Sequence, residues 1–115
     1  MILRGEIYLV NFDPGIGSEI RKTRPALVIQ NNIDNEYSPI VIVAAITSRF
    51  GDMLYPTEVF IRADMSGLDH DSVVQLNQVR SIDKRRLMRR LGKLDNITMM
   101  QVDRAILISL GIVDI

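Results

Sequence analysis

Arg24-Pro25-Ala26-Leu27-Val28-Ile29-Gln30-Asn31 decides how this chain reads. Proline fixes its own φ and disfavours the helical region for the residue before it, so Arg24 is held extended. The residues that follow, Ala26 to Gln30, form a run of strand length that is apolar through Ile29. A long, loop-like segment, Asp13 to Thr23, leads into the arginine. A permanent positive charge with forked donors therefore stands at the mouth of a rigid strand, where it can meet a phosphate. For an arbitrary Arg-Pro pair, a surface ion pair is the plainer role.

The next apolar run, Ile40-Val41-Ile42-Val43-Ala44-Ala45-Ile46, is the most β-branched in the chain and is expected to be a central strand. Thr47 closes it. Two polar groups at the rims of two core strands suggest a site, although a strand-end threonine commonly bonds its own backbone. Glu6 to Phe12 is β-rich and stops at the turn signal Asp13-Pro14-Gly15. Asn31 to Pro39 is a polar connector with room for one helical turn. Ser48 to Pro56 reads as a loop with Gly51-Asp52 at its tip. Thr57 to Ile61 alternates, as a half-buried strand does, and Ser72 to Arg80 is a further strand.

Asp83 is placed to cap a short turn through Lys84-Arg85-Arg86. Leu87 to Leu91 fits either a helix or an edge strand. Asp95 is the expected N-cap of a final helix from about Asn96 to Leu110, stopped near Gly111. Met99, Val102, Ile106 and Ser109 or Leu110 share one face, widened by Ala105, Ile108 and Ile112. Many short strands and one closing helix predict a mainly β, α+β fold: a small, curled antiparallel barrel formed by a single domain over residues 1–115.

A chain of 115 residues, 47% hydrophobic, is one domain with enough apolar material for one core. No stretch approaches the roughly 20 apolar residues of a spanning helix. The start, Met1-Ile2-Leu3-Arg4-Gly5-Glu6, lacks a signal-peptide layout, so a cytoplasmic protein without membrane attachment is expected. With no cysteine there is no disulfide framework, thiolate nucleophile or Cys-based zinc site. The formal net charge of zero gives no global reason to expect nucleic acid. Locally, Arg80, Lys84, Arg85, Arg86, Arg89, Arg90 and Lys93 crowd together with Asp83 as the sole acid among them. Such a cluster can bind phosphates; a solvated face is the plainer reading.

RNA can be cut without a metal when the ribose 2′-hydroxyl attacks its own neighbouring phosphate. The largest contribution usually comes from preorganised donors aimed at developing charge. Arg24 suits that role and cannot be an ordinary base, because a guanidinium stays protonated. Thr47 can hydrogen-bond the phosphate or the 2′ oxygen. Ser18 and Glu19, in the Gly15-Ile16-Gly17-Ser18-Glu19 loop, could orient the attacking group, and Glu19 is the one nearby acid suited to take a proton. The glycines alone are weak evidence for phosphate binding. Arg49 suits a backbone phosphate. Phe50 and Tyr55 offer stacking platforms for bases, or equally pack beneath their loop. His70, the single histidine, reads as a loop residue and, lacking a second histidine, as a poor metal or acid–base candidate. No metal site is expected: Asp69 and Asp71 lack the other ligands of a calcium loop.

Taken together, these motifs are similar to those of the MazF/PemK toxins of bacterial toxin–antitoxin systems, over nearly the whole chain. Arg4-Gly5-Glu6-Ile7-Tyr8 resembles the family's opening strand. Gly17-Ser18-Glu19 followed by Arg24 to Asn31 resembles its central signature, and Ala44-Ala45-Ile46-Thr47-Ser48 its second. Asp71-Ser72-Val73-Val74 with Gln78 to Leu87 resembles the last. The resemblance implies an SH3-like barrel with a C-terminal helix, the toxin fold shared with CcdB, and a homodimer. It implies a metal-independent, cofactor-free endoribonuclease acting on single-stranded RNA and leaving 2′,3′-cyclic phosphate and 5′-hydroxyl ends. The family's catalytic arginine falls on Arg24, its threonine on Thr47 and its acid on Glu19, with Gln78 a polar residue near the site. A cognate antitoxin neutralises such toxins, and DNA is bound only indirectly through the antitoxin.

Two rivals share the barrel. A gyrase-poisoning toxin of the CcdB type needs no Arg24/Thr47 pair and uses its C-terminal helix, whose end here, Leu110 to Ile115, lacks aromatics. An adaptor would need an aromatic-lined groove, and aromatics make up 5% of the chain.

Overall fold

The computed structural model describes residues 1–115. Six strands are present: β1 (Glu6–Asn11), β2 (Thr23–Val28), β3 (Ile40–Thr47), β4 (Glu58–Ile61), β5 (Ser72–Asp83) and β6 (Leu87–Lys93). Three α-helices join them, α1 (Asn32–Tyr37), α2 (Ala63–Ser66) and α3 (Asn96–Ser109), with one 3₁₀ turn at Lys84–Arg86. The strands form one antiparallel sheet in the order β4-β5-β3-β2-β1-β6. The mainly β architecture with a closing helix is the one expected.

β3 lies inside the sheet and is buried on both faces, which explains its unbroken apolar run. Its Ala44 and Ile46 join Ile7, Leu27, Val74 and Leu76 in a core covered by Val102 and Ala105 of α3. Its Val41, Val43 and Ala45 join Val10, Phe12 and Val28 in a second core on the other face. β5 is long because it bends. Ala44 pairs with Val79 but Ala45 with Gln75, so Leu76 to Gln78 have no partner on β3. This slip swings the first half of β5 toward β4, where the Leu76 N–H donates to the Thr57 carbonyl at 2.9 Å.

The caps act where the sequence put them. Asp83 accepts the Arg85 N–H, and its hydrogen bonds with Arg85 hold its carboxyl down at about 2. Asp95 accepts the Thr98 N–H at 2.7 Å and starts α3. Met99 and Ile106 pack beside the buried Val102 and Ala105, and the Ser109 hydroxyl donates to the Leu76 carbonyl at 2.6 Å. Leu110 and Ile112 do not extend that face. α3 ends at Ser109, Gly111 turns with φ 74°, and both apolar side chains are exposed.

The structure moves one strand start, decides one open alternative and adds one element. β2 begins at Thr23, so Arg24 lies within the strand. Leu87 to Leu91 is strand, because β1 offers β6 a free edge to pair with. α2 went unseen because one helical turn carries no periodicity.

β4 and β6 are the two edges of the sheet, and α2 brings them together. A Cβ on Gly92 would stand 1.9 Å from the Ser66 carbonyl oxygen, so only glycine permits this approach. We expect Gly92→Ala to cost roughly 1–3 kcal/mol through forced displacement, lowering the melting temperature by several degrees. Gly51→Ala, at an open position, should stay within about 0.5 kcal/mol. Equal melting of the two variants would refute this closure.

Candidate active site

β2 runs antiparallel to β3 with Ala26 opposite Ala45, Leu27 opposite Ala44 and Val28 opposite Val43. Continued by two residues, that register sets Arg24 level with Thr47. The approach is built by the preceding loop. Lys22 takes the left-handed conformation, φ 67°, its N–H held by Asp13 at 2.7 Å and its carbonyl by the Phe12 N–H at 2.8 Å. The chain thereby turns sharply into β2 and delivers Arg24 to the strand end.

Arg24 and Thr47 line one cavity of about 460 Å³. Pro25 and Ser48 lie beside them. Asp69 and His70 enter from the turn between α2 and β5, and Arg89 and Arg90 from β6. The four ion pairs of the chain engage Arg4, Arg62, Arg85 and Arg90, so Arg24 and Arg89 present guanidiniums with no acid partner. No cluster of three or more His, Asp or Glu side chains is arranged to hold a metal.

Arg90 is fixed. Its Nε lies 2.6 Å from Oε2 of the buried Glu6. The other Glu6 oxygen accepts the Leu3 N–H at 2.7 Å and the Tyr8 hydroxyl at 3.3 Å. A buried carboxylate is tolerable only with such partners. Burial pushes the Tyr8 phenol above its ordinary value, and the Glu6 charge and hydrogen bond add to that, with Arg90 opposing.

The Thr47 oxygen accepts the Arg49 N–H at 3.1 Å and lies 3.4 Å from the Arg49 carbonyl. The plainer role for a strand-end threonine is therefore present. It orients the side chain without consuming it, since the longer contact is weak and the hydroxyl keeps a second lone pair.

The other sequence candidates lie elsewhere. Glu19 accepts the Ile16 N–H at 3.3 Å and lines a second cavity with Gln78 and Arg80, apart from Arg24. Gln78 accepts the Ile20 N–H at 3.2 Å and donates to the Ser18 carbonyl at 3.1 Å. It pins the 13–23 loop from the unpaired bend of β5. Arg49, Phe50 and Tyr55 are exposed on the 48–56 loop and do not line the Arg24 cavity. Phe50 meets Phe60 edge to face, centroids 5.9 Å apart, so it partly packs beneath its loop, whereas Tyr55 is 73% exposed.

Sequence reasoning set His70 aside and left the basic stretch open. The structure brings His70, Arg89 and Arg90 to the Arg24 cavity. The basic run was visible, but its placement depends on β6 being a strand beside β1.

Residues 3–110 match the family described as PemK-like, MazF-like toxin of type II toxin-antitoxin system. The chain is 45% identical over 114 residues to Endoribonuclease EndoA of Bacillus subtilis (strain 168), covering 99% of this chain and 98% of that protein. MazF from Deinococcus radiodurans superposes with a TM-score of 0.82 at 28% identity, covering 96% of each chain. A MazE-MazF structure from the same organism gives 0.76 at 28% identity, again over 96% of each. A mycobacterial endoribonuclease in complex with its cognate antitoxin shares the fold, with a TM-score of 0.81 at 23% identity over the full length of both chains.

The Glu6 network is testable. Glu6→Gln removes the charge that disfavours tyrosinate, so Tyr8 should ionise at lower pH while burial still holds it above ordinary phenol. NMR titration of ring-labelled tyrosine reads this directly. An unmoved Tyr8 would show that Glu6 does not act on it.

Proposed function

The chain belongs to the PemK-like, MazF-like toxin family of type II toxin–antitoxin systems, and we propose that it is a sequence-specific endoribonuclease that cuts single-stranded RNA without a metal. The observation that carries this reading is that Arg24, which has no acid partner, and Thr47 line one cavity.

In the reaction, the ribose 2′ oxygen attacks the adjacent phosphorus and the bond from phosphorus to the 5′ oxygen breaks. The 2′ proton is lost and the 5′ oxygen gains one. The products carry a 2′,3′-cyclic phosphate and a 5′-hydroxyl. Negative charge builds on the phosphoryl oxygens, and the forked guanidinium of Arg24 meets it. Thr47 donates to the same phosphate or to the 2′ oxygen. Glu19, in the neighbouring cavity with Gln78, serves this reading as an organiser of the 13–23 loop through its contact with the Ile16 N–H. Ser18, Arg49 and Tyr55 are assigned to the flanking RNA, with Phe50 presenting its free face.

The working form is a cytoplasmic homodimer neutralised by a cognate antitoxin. Ile16 and Met53 are 78% and 89% exposed on two loops, apolar side chains open to a protein partner. No helix is long and apolar enough to cross a membrane.

Arg24→Ala is expected to keep its melting temperature and lose at least about 100-fold in cleavage rate, the scale of one transition-state donor. Parent-like cutting by that variant would refute the site. Separately, the wild-type rate should persist in excess EDTA, with end-group mapping finding cyclic phosphates. Strong inhibition by EDTA would point to metal chemistry instead.

A further inference from the structure

We propose that Arg89 and His70 form a second phosphate clamp, which holds the RNA backbone next to the linkage addressed by Arg24 and Thr47. This rests on the ribonuclease reading and extends it to further residues of the same cavity.

The placement follows from the sheet. β1 lies between β2 and β6, and Leu9 pairs with Pro25 on one side and Arg89 on the other. Arg89 therefore shares the sheet face of Leu9 and Pro25, roughly 10 Å from Pro25 across the sheet, and reaches at the strand ends the cavity that Arg24 also lines. His70 comes to the cavity from the turn between α2 and β5, a third direction. A strand of RNA entering the cavity thus meets residues of three separate elements, Arg24 on β2, Arg89 on β6 and His70 on the turn before β5.

The charges are also free to act. Arg90 is committed to Glu6 at 2.6 Å. Arg89 has no acid partner and is exposed. His70 is exposed, and only its backbone carbonyl is engaged, by the Ser72 hydroxyl at 2.9 Å. Asp69 is the one acid lining the cavity. An exposed cation without a partner, facing a cavity that already holds another, is disfavoured by like-charge repulsion unless an anion enters between them. A polyanion relieves that repulsion, which is why this arrangement fits RNA better than a neutral ligand.

Two measurements decide it. The first uses cleavage of a mixed transcript pool by purified parent, Arg89→Ala, His70→Gln, His70→Arg and Arg104→Ala, the last a control on α3 outside the cavity. The second uses anisotropy of short, labelled, random-sequence RNA carrying 2′-O-methyl groups. Such RNA cannot be cut, so binding is read whether or not the parent cleaves.

Arg89→Ala should raise KM and weaken binding about tenfold, the loss of one charge-assisted hydrogen bond, with kcat little changed. The slope of log affinity against log salt should fall by about 0.7 for one lost phosphate contact. His70→Gln should weaken binding in the same direction, and His70→Arg should restore it. Arg104→Ala should match the parent. If the parent cuts RNA but Arg89→Ala keeps parent KM and salt slope, the clamp is wrong and the ribonuclease reading stands. If His70→Arg is as impaired as His70→Gln, His70 does not donate to the phosphate and the clamp is overturned at that residue. Equal losses in Arg89→Ala and Arg104→Ala would mean general charge only. A parent that neither cuts nor binds overturns both readings.

Discussion

The site depends on one constraint, the register between β2 and β3. Ala26 opposite Ala45 sets Arg24 level with Thr47 two residues on. A slip of one residue would turn every side chain of one strand to the other face. Because both faces of β3 are buried, a slip would exchange its side chains between two packed cores and misfit their volumes. The alanines matter as well, since Ala26 and Ala45 bring no bulk to their buried positions on the paired strands. The chemistry of the rim is therefore fixed by packing several residues away. Pro25 and the left-handed Lys22 set only how the chain arrives.

A chain of zero formal charge binds a polyanion only by concentrating its cations, and the structure shows how they are divided. Arg80 donates to the Phe12 carbonyl, and Arg86 to those of Asn11 and Asp13. Lys84 donates to the Asn35 carbonyl, and Arg85 pairs with Asp83. These residues fasten loops to the barrel. Arg89 and Arg90 from the same sequence cluster face the cavity instead, one free and one braced by a buried carboxylate. The basic stretch is thus neither a uniform solvated face nor a uniform binding surface.

Much of this was legible in the sequence where a local rule governs. The β-branched run of β3, the Asp95 and Asp83 caps and the glycine after α3 each announce themselves within a few residues. The Arg24 and Thr47 pair was legible because Arg24 enters β2 and Thr47 closes β3, strands whose apolar runs are unmistakable. The remainder depended on tertiary pairing. Nothing local decides that Leu87 to Leu91 is an edge strand, since that follows from the edge β1 leaves open. Without β6, Arg89 and Arg90 have no address. His70 was passed over for the same reason: its own sequence context is an ordinary loop, and its value comes from the strand ends it faces. Glu19 shows the converse, near Arg24 in sequence yet lining another cavity, because the loop between them folds back onto Gln78.

The central claim is that Arg24 and Thr47 act on one phosphate, and a double-mutant cycle in kcat/KM tests it most directly. Arg24→Ala, Thr47→Ala and the double variant should be non-additive, with a coupling of about 1 kcal/mol or more, as expected for groups sharing a partner. Losses that simply add, to within about 0.3–0.5 kcal/mol, would mean that the two side chains work independently and that the shared cavity is not a shared site.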